Sequence, residues 1–272
     1  MNMLPFTDVL FTKFSTMIYD NLGIHFGPVK KDMLKAKLDK LLRLNSLDSY
    51  NHYYEALQQR GNDRLWAEFV DEITVHQSGF FRENHHFEFI RTQLRLILEK
   101  NPRIMQNKEI KIWSAGCSTG EEAYTLAMVL KEWLPAEIAV RILATDVSSK
   151  TLAAAQNGLF PSAIKKSMDP YYLMEYFQAN GDNYEVKPEL KELITFRLFN
   201  LMEPFPFTNP FDVIFCRNVM IYFDQAVQEQ LISKFYDFLT VGGLLFIGHS
   251  ESLIGKQYRF RYLEPTIYIK EK

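Results

Sequence analysis

The sequence predicts an α/β chain in which a mostly parallel sheet, covered by helices on both faces, follows an all-helical segment. Three observations lead there. The first seventy-odd residues carry helical periodicity alone; short apolar runs rich in Ile, Val and Phe begin after Lys108; and helical stretches separate several of those runs. The 272 residues amount to roughly 1.8 average domains, so one large domain or two unequal ones. A chain of this length buries about three-quarters of its unfolded surface and needs no disulfide or metal staple. Composition is 47% hydrophobic and 24% charged, which excludes a disordered chain.

The helical segment opens with Phe6, Val9, Leu10, Phe14, Met17 and Ile18, spaced by one, three and four as one helix face requires. Gly23 and Gly27-Pro28 punctuate it. A second helix is predicted from Lys30 to about Leu44, with Met33, Leu34, Leu38, Leu41 and Leu42 inward. A third runs from Tyr50 to Arg60, closed by Gly61-Asn62, and a fourth from Asp63 to Ile73. The strand candidates are IKIWSAGC (110–117), VRILATDV (140–147), LITFRLFN (193–200), FDVIFCRN (211–218) and GLLFIGHS (243–250). Helices are predicted over 120–133, 149–157 and 224–239. YRFRYL and TIYIK, joined by Glu264-Pro265, read as an antiparallel pair at a sheet edge. The stretch 160–192, with helix-like DPYYLMEYF and a turn at Asn180-Gly181-Asp182, interrupts the alternation as an inserted subdomain.

Charge and cysteine content narrow the function classes. Thirty-one Lys and Arg against 33 Asp and Glu, net −2, leave no basic footprint for nucleic acid. Two scattered cysteines, Cys117 and Cys216, make no disulfide framework. No apolar run approaches the roughly 18 residues of a membrane span, and MNMLPFTDVLFTKF lacks the features of a secretory leader. A cytoplasmic location is expected.

In an open α/β sheet, ligands bind beyond the carboxyl ends of the strands. AGCSTGEEAYTLA offers Gly116 and Gly120 for close backbone approach, and Ser118 with Glu121 fits a capping box. It is neither a P-loop nor GxGxxG, and Glu121-Glu122 suits a cationic ligand better than a phosphate. Asp146, ending the second strand, serves equally as acceptor for two ribose hydroxyls or as cap of the next helix. Together with Gly-Glu-Glu, a nucleoside bearing an amino-acid tail is the better reading. Arg82, by itself, reads as a surface cation pairing with Glu83 or Asp71. His85 and His86 point to different helix faces and have no third ligand at suitable spacing, so no metal is expected. Lys30, Lys31, Lys35, Lys37, Lys40 and Arg43 against Asp32 and Asp39 give a local +4, either a solvated face or a docking surface.

SGFFRENHHF (78–87), AGCSTGEEAYTLA, LATDVSS, RLFNL and IFCRNVMIYFD resemble, in this order and over nearly the whole chain, the CheR family of chemoreceptor glutamate methyltransferases. The resemblance implies a class I S-adenosylmethionine-dependent methyltransferase fold with a seven-stranded, mostly parallel sheet. It implies an all-helical domain over 1–73, a linker over 74–84 contributing to the active site, and a methyltransferase domain over 85–272 with a small β-subdomain inserted at about 160–197. The implied reaction esterifies receptor glutamates, with S-adenosylmethionine as donor, S-adenosylhomocysteine as product and no metal. Implied partners are methyl-accepting chemotaxis receptors, met by the basic helix 30–43 and by the insertion, with no nucleic acid and no membrane insertion; the protein is expected to be a monomer. The compact turn at 180–182 leads us to expect weak or absent binding of a receptor tail.

Position by position, the resemblance places Arg82, Ser78, Glu122, Asp146, Asn200, Leu201, Asn218 and Val219 at the cofactor. His76 stands where the family usually has Asn. Arg82 and Tyr222 take the catalytic positions beside the transferred methyl. Two alternatives keep the same site: transfer to another protein's carboxylate, and a non-catalytic module that senses S-adenosylmethionine.

Overall fold

The structure, a computed structural model, describes residues 5–59, 61–253 and 259–272. Arg60, the expected end of the third helix, and Tyr258, the expected start of YRFRYL, lie outside the described residues.

Four helices form the first layer: α1 (Asp8–Leu22), α2 (Lys31–Leu44), α3 (Tyr50–Gln58) and α4 (Asp63–Ile73). Their ends follow local chemistry. The Thr7 hydroxyl accepts from Leu10 N–H at the start of α1, and Gly23 ends it in the left-handed region at φ 70°. Pro28 opens a 3₁₀ turn over Pro28–Lys30 that leads into α2, so α2 begins one residue later than predicted. Phe14, Ile18, Leu34, Leu38, Leu42, Tyr53 and Phe69 are sealed together in one core. Two predicted core positions are not in it: Val9 is 67% exposed and Met33 44%. The stripe of α1 is narrower than its spacing implied, and Met33 turns toward the cleft between the domains.

Helix α5 (His85–Lys100) and the short α6 (Pro102–Asn107) lead to β1 (Glu109–Ala115), α7 (Glu121–Trp133), β2 (Ala139–Asp146) and α8 (Ser149–Asn157). The insertion follows: β3 (Leu159–Pro161), α9 (Pro170–Tyr176), β4 (Phe177–Asn180), β5 (Asn183–Val186) and α10 (Pro188–Lys191). Then come β6 (Ile194–Leu198), β7 (Phe211–Cys216), α11 (Gln225–Asp237), β8 (Leu239–Ile247), β9 (Arg261–Glu264) and β10 (Ile267–Ile269).

The main sheet has seven strands in the order β6-β2-β1-β7-β8-β10-β9. The first five run parallel, and β10 pairs antiparallel with both β8 and β9. All six residues of β7 are buried, as expected of a strand covered on both faces. The insertion forms its own three-stranded sheet, β3-β5-β4. Its predicted end at about 197 is too late: Ile194–Leu198 pairs with β2, from Ile142 opposite Ile194 to Asp146 opposite Leu198. The alternating exposure of β6 reflects its place at the edge of the main sheet, not in the insertion.

Strand order reverses between β1 and β7, which is where the carboxyl ends of an α/β sheet leave a crevice. The helical domain is fastened across it. Ile24 bridges to Phe223, the Tyr19 hydroxyl donates to Asp224 at 2.7 Å, and Asn200 Nδ2 donates to Asn21 O at 2.6 Å. On the other flank the Ser148 hydroxyl donates to Asp71 at 2.6 Å.

Candidate functional site

Between sheet and helical domain lies a cavity of about 290 Å³, at the small end of the roughly 300–1,000 Å³ usual for small-molecule sites. The structure brings all ten sequence-predicted positions to its wall: His76, Ser78, Arg82, Glu122, Asp146, Asn200, Leu201, Asn218, Val219 and Tyr222. The opposite wall went unrecognised in the sequence. Leu22, Ile24, Phe26, Lys30 and Met33 of the helical domain close it, because the turn after α1 folds down onto the loop that follows β7.

The turn after β1 is built on three left-handed residues, Gly116 (φ 89°), Ser118 (φ 50°) and Gly120 (φ 94°). A Cβ on Gly116 would stand 2.4 Å from Val219 Cγ2, so two lining loops touch where the glycine leaves room. The predicted capping box does not form. Gly120 occupies the cap of α7 with no side-chain bond, Glu121 accepts from the Thr119 hydroxyl at 2.7 Å, and Ser118 Oγ is buried without a hydrogen-bond partner among the described residues. The left-handed Ser118 aims its N–H, at 2.8 Å, at Asp146 Oδ2.

Asp146 is 7% exposed, and its other oxygen accepts from Ser148 N–H at 3.0 Å. The cap of α8 is Ser148, whose hydroxyl accepts from Thr151 N–H at 3.2 Å, so the capping alternative for Asp146 falls away. Each carboxylate oxygen accepts two hydrogen bonds, leaving Asp146 capacity toward the cavity.

Glu122, in the first turn of α7, accepts from the Ser114 hydroxyl at 2.6 Å and from Arg217 Nε at 2.7 Å. Sequence reasoning missed Arg217. It is 7% exposed, and Nη1 donates to the Arg82 carbonyl at 2.7 Å and to His86 Nδ1 at 3.0 Å. Its guanidinium also lies over the rings of Phe87 and Phe215. A guanidinium only donates, so His86 Nδ1 accepts and Nε2–H donates to the Thr266 hydroxyl, 2.7 Å away. Burial, reinforced by Arg217, pulls the His86 pKa down to about 2, which keeps the imidazole neutral. A signal was available: an arginine directly after the apolar run Val213–Cys216 is buried only when paired.

Arg82 is half-buried and donates to the Gln77 carbonyl at 2.6 Å. Neither acid expected of a surface pair holds it. Glu83 accepts from Asn218 Nδ2 at 3.1 Å and His249 N–H at 3.2 Å, and Asp71 is taken by Ser148. His76 Nε2 lies 2.7 Å from the Thr74 hydroxyl, and burial lowers its pKa. Asn200 is fixed at both ends, Oδ1 accepting from Met202 N–H at 3.0 Å and Nδ2 donating to Asn21 O. Burial, opposed by Arg82, raises the pKa of Tyr222, so its hydroxyl keeps its proton. Phe81, Glu83, Ser118 and Asn218 all have φ between 50° and 58°; non-glycine residues held there store strain, and such strain gathers at functional sites. Cys117 and Cys216 are buried, and desolvation pushes both thiols up, in keeping with small apolar fillers.

The basic face of α2 is largely self-neutralised. Lys31 pairs with Asp8 at 2.6 Å, Lys35 with Asp39 at 2.7 Å and Lys40 with Glu72 at 2.5 Å. Lys37 donates to the Glu72 carbonyl.

Residues 76–269 match the family model of the CheR methyltransferase, SAM binding domain, and residues 10–74 that of the CheR methyltransferase, all-alpha domain. The chemotaxis protein methyltransferase of Borreliella burgdorferi is 38% identical over 259 residues, 93% of this chain and 91% of that one. That of Escherichia coli K12 is 34% identical over 275 residues, 99% of this chain and 93% of that one.

Proposed function

The chain belongs to the CheR methyltransferase family, and from that premise we propose that it transfers methyl groups from S-adenosylmethionine to glutamate side chains of bacterial chemoreceptors, leaving glutamyl methyl esters and S-adenosylhomocysteine. The observation that carries this reading is the meeting of five separated stretches of chain, 76–82, 122, 146, 200–201 and 218–222, on one cavity.

The lining fits the donor. Two carboxylates, Glu122 and Asp146, suit a ligand that carries an ammonium, a sulfonium and two ribose hydroxyls. The orphaned Ser118 Oγ offers one more polar partner, and Leu201, Val219 and Phe199 give apolar walls for a purine. In this reading Asp146 accepts from the ribose, Glu122 from the amino group, and Asn200 with Leu201 borders the base, while His76, Ser78, Asn218 and Val219 complete the enclosure. When bound, S-adenosylmethionine supplies an electrophilic methyl on a sulfonium.

What the chain supplies is placement. A glutamate side chain is ionised at neutral pH and nucleophilic as it stands, so no general base is required. Arg82 offers a planar fork matched to two carboxylate oxygens, and its surroundings leave it free of an acidic partner among the described residues. Tyr222, kept protonated, offers a donor beside it. Enclosure by the helical domain excludes water, which otherwise solvates both reacting charges, and fixed orientation supplies the rest of the acceleration. Receptor contact is assigned to the basic helix 30–43 and to the insertion.

The test is incubation with radiolabelled S-adenosylmethionine and receptor-bearing membranes. Label on the receptor band, released by mild base as methanol, supports the reading. Base-stable label, or ester on some other protein alone, redirects the substrate; donor binding without any transfer leaves a sensor.

A further inference from the structure

Glu251 is a buried acid that the site as described does not use. It is 7% exposed, it follows β8, and none of the ion pairs found among the described residues includes it. Among the described residues its charge is held by backbone alone. Oε2 accepts from Gly248 N–H at 2.6 Å and Asn218 N–H at 3.1 Å, and Oε1 accepts from Ile221 N–H at 3.2 Å. Burial nevertheless raises its pKa.

Those donors matter because two belong to the loop that carries Asn218, Val219 and Tyr222 to the cavity. At Asn218 the backbone is left-handed at φ 58°, a conformation asparagine tolerates better than other residues with a Cβ but does not adopt by default. Asn218 also lies so close to Gly248 that a Cβ there would stand 2.7 Å from its amide nitrogen. A side chain that accepts from Asn218 N–H and Ile221 N–H, near both ends of the loop, fixes its path. Its negative charge is also among the causes that hold the Tyr222 pKa up.

We propose that Glu251 is the positioning residue of the 217–222 loop, setting the Tyr222 hydroxyl and the Asn218 backbone for methyl transfer without touching donor or acceptor. The proposal rests on the methyltransferase reading given above and adds to it a residue remote from the reactants. A carboxylate is needed because it presents only acceptors; Glu251→Gln turns an N–H₂ group toward an amide N–H.

The experiment compares the full chain with Glu251→Gln, Tyr222→Phe and the double variant. Expected are a fall in kcat on the order of tenfold to a hundredfold for Glu251→Gln, as small misplacements of reacting groups produce, and a smaller loss of S-adenosylhomocysteine affinity, within about tenfold, because Asn218 and Val219 also border the donor. Tyr222→Phe is then expected to cost markedly less in the Gln background than alone, since the hydroxyl is already misplaced. Independent, additive losses, or a normal kcat, overturn the proposal. Amide hydrogen exchange supplies a readout that needs no activity: Asn218, Ile221 and Gly248 should lose protection in Glu251→Gln while α7 and β1 keep theirs. Unchanged protection at those three amides overturns the proposal even if the parent transfers nothing, and a parent that transfers nothing while the amides loosen removes only the methyltransferase reading.

Discussion

At the scale of single residues, Arg82 and Asp146 are separable by what holds them. Arg82 makes its described bond to a backbone carbonyl in its own segment, so removing it disturbs little else. Arg82→Ala is expected to abolish methyl transfer while calorimetric affinity for S-adenosylhomocysteine stays within about tenfold. Asp146 supports two backbone amides, and Asp146→Asn exchanges one acceptor for a donor. Cofactor affinity is expected to fall by more than about tenfold, with a loss of about 1–3 kcal/mol in urea unfolding. If Arg82→Ala turns over normally it leaves the mechanism, and unchanged affinity in Asp146→Asn removes the ribose assignment. The ten candidate positions were legible because motif order carried them. Arg217, Glu83 and Glu251 were not, since their partners lie 95, 135 and 33 residues away along the chain and only folding reveals a buried pair.

Among elements, the turn between β1 and α7 bears a tight constraint at the edge of the cavity. Gly116→Ala puts a methyl 2.4 Å from Val219 Cγ2 at a backbone φ of 89°. Overpacking of this kind costs about 1–3 kcal/mol, and a left-handed alanine adds about 1 kcal/mol. We expect a lower melting temperature and a loss of cofactor binding together, because relief of the clash displaces Val219 from the cavity wall. Binding at parental strength would show that the two loops move independently. The strands of this fold were readable from their apolar runs, and the helices from their spacing. The capping box was not realised, because Ser118 needed a left-handed backbone to reach Asp146, and an N-cap residue sits in the extended region instead. The edge strand β6 was assigned partly to the insertion, since an edge strand and an excursion share the same half-exposed pattern.

The whole molecule carries two consequences, one for stability and one for encounter. His86 joins α5, β7 and the Thr266 turn as a neutral buried ring. Its pKa falls from 6.5 unfolded to about 2 folded, so below pH 6.5 the unfolded chain takes up a proton that the native state refuses. Stability from this group is complete above pH 6.5 and declines as pH falls toward 2. Urea unfolding at pH 5.5 should show about 1.4 kcal/mol less stability from this source than at pH 7.5. The variant His86→Gln keeps an acceptor for Arg217 and a donor for Thr266, so it should lack that increment; an equal pH response in both excludes the mechanism.

For encounter, the proposed reading sets the five cations of α2 against a receptor surface expected to be rich in glutamate, but the structure lowers what they deliver. Asp8, Asp39 and Glu72 already neutralise three of them, and Lys37 is partly buried, its pKa lowered first by desolvation, so it belongs to the domain interior more than to its surface. The discriminating change therefore spares Lys37. Lys35→Gln with Lys40→Gln removes two exposed charges without setting a new carboxylate beside Asp39 or Glu72. Complementary charge acts chiefly on association rate and register, and paired surface cations give less than the tenfold or greater gain of strong steering. We expect receptor methylation to slow roughly two- to fivefold in kcat/KM at low salt, with donor affinity unchanged. Screening contracts to about 3 Å at 1 M salt, so parent and variant should converge as ionic strength rises. Equal rates at low salt would reduce the basic face of α2 to internal pairing, and a deficit that persists at high salt would point to lost packing at the interface in place of lost attraction.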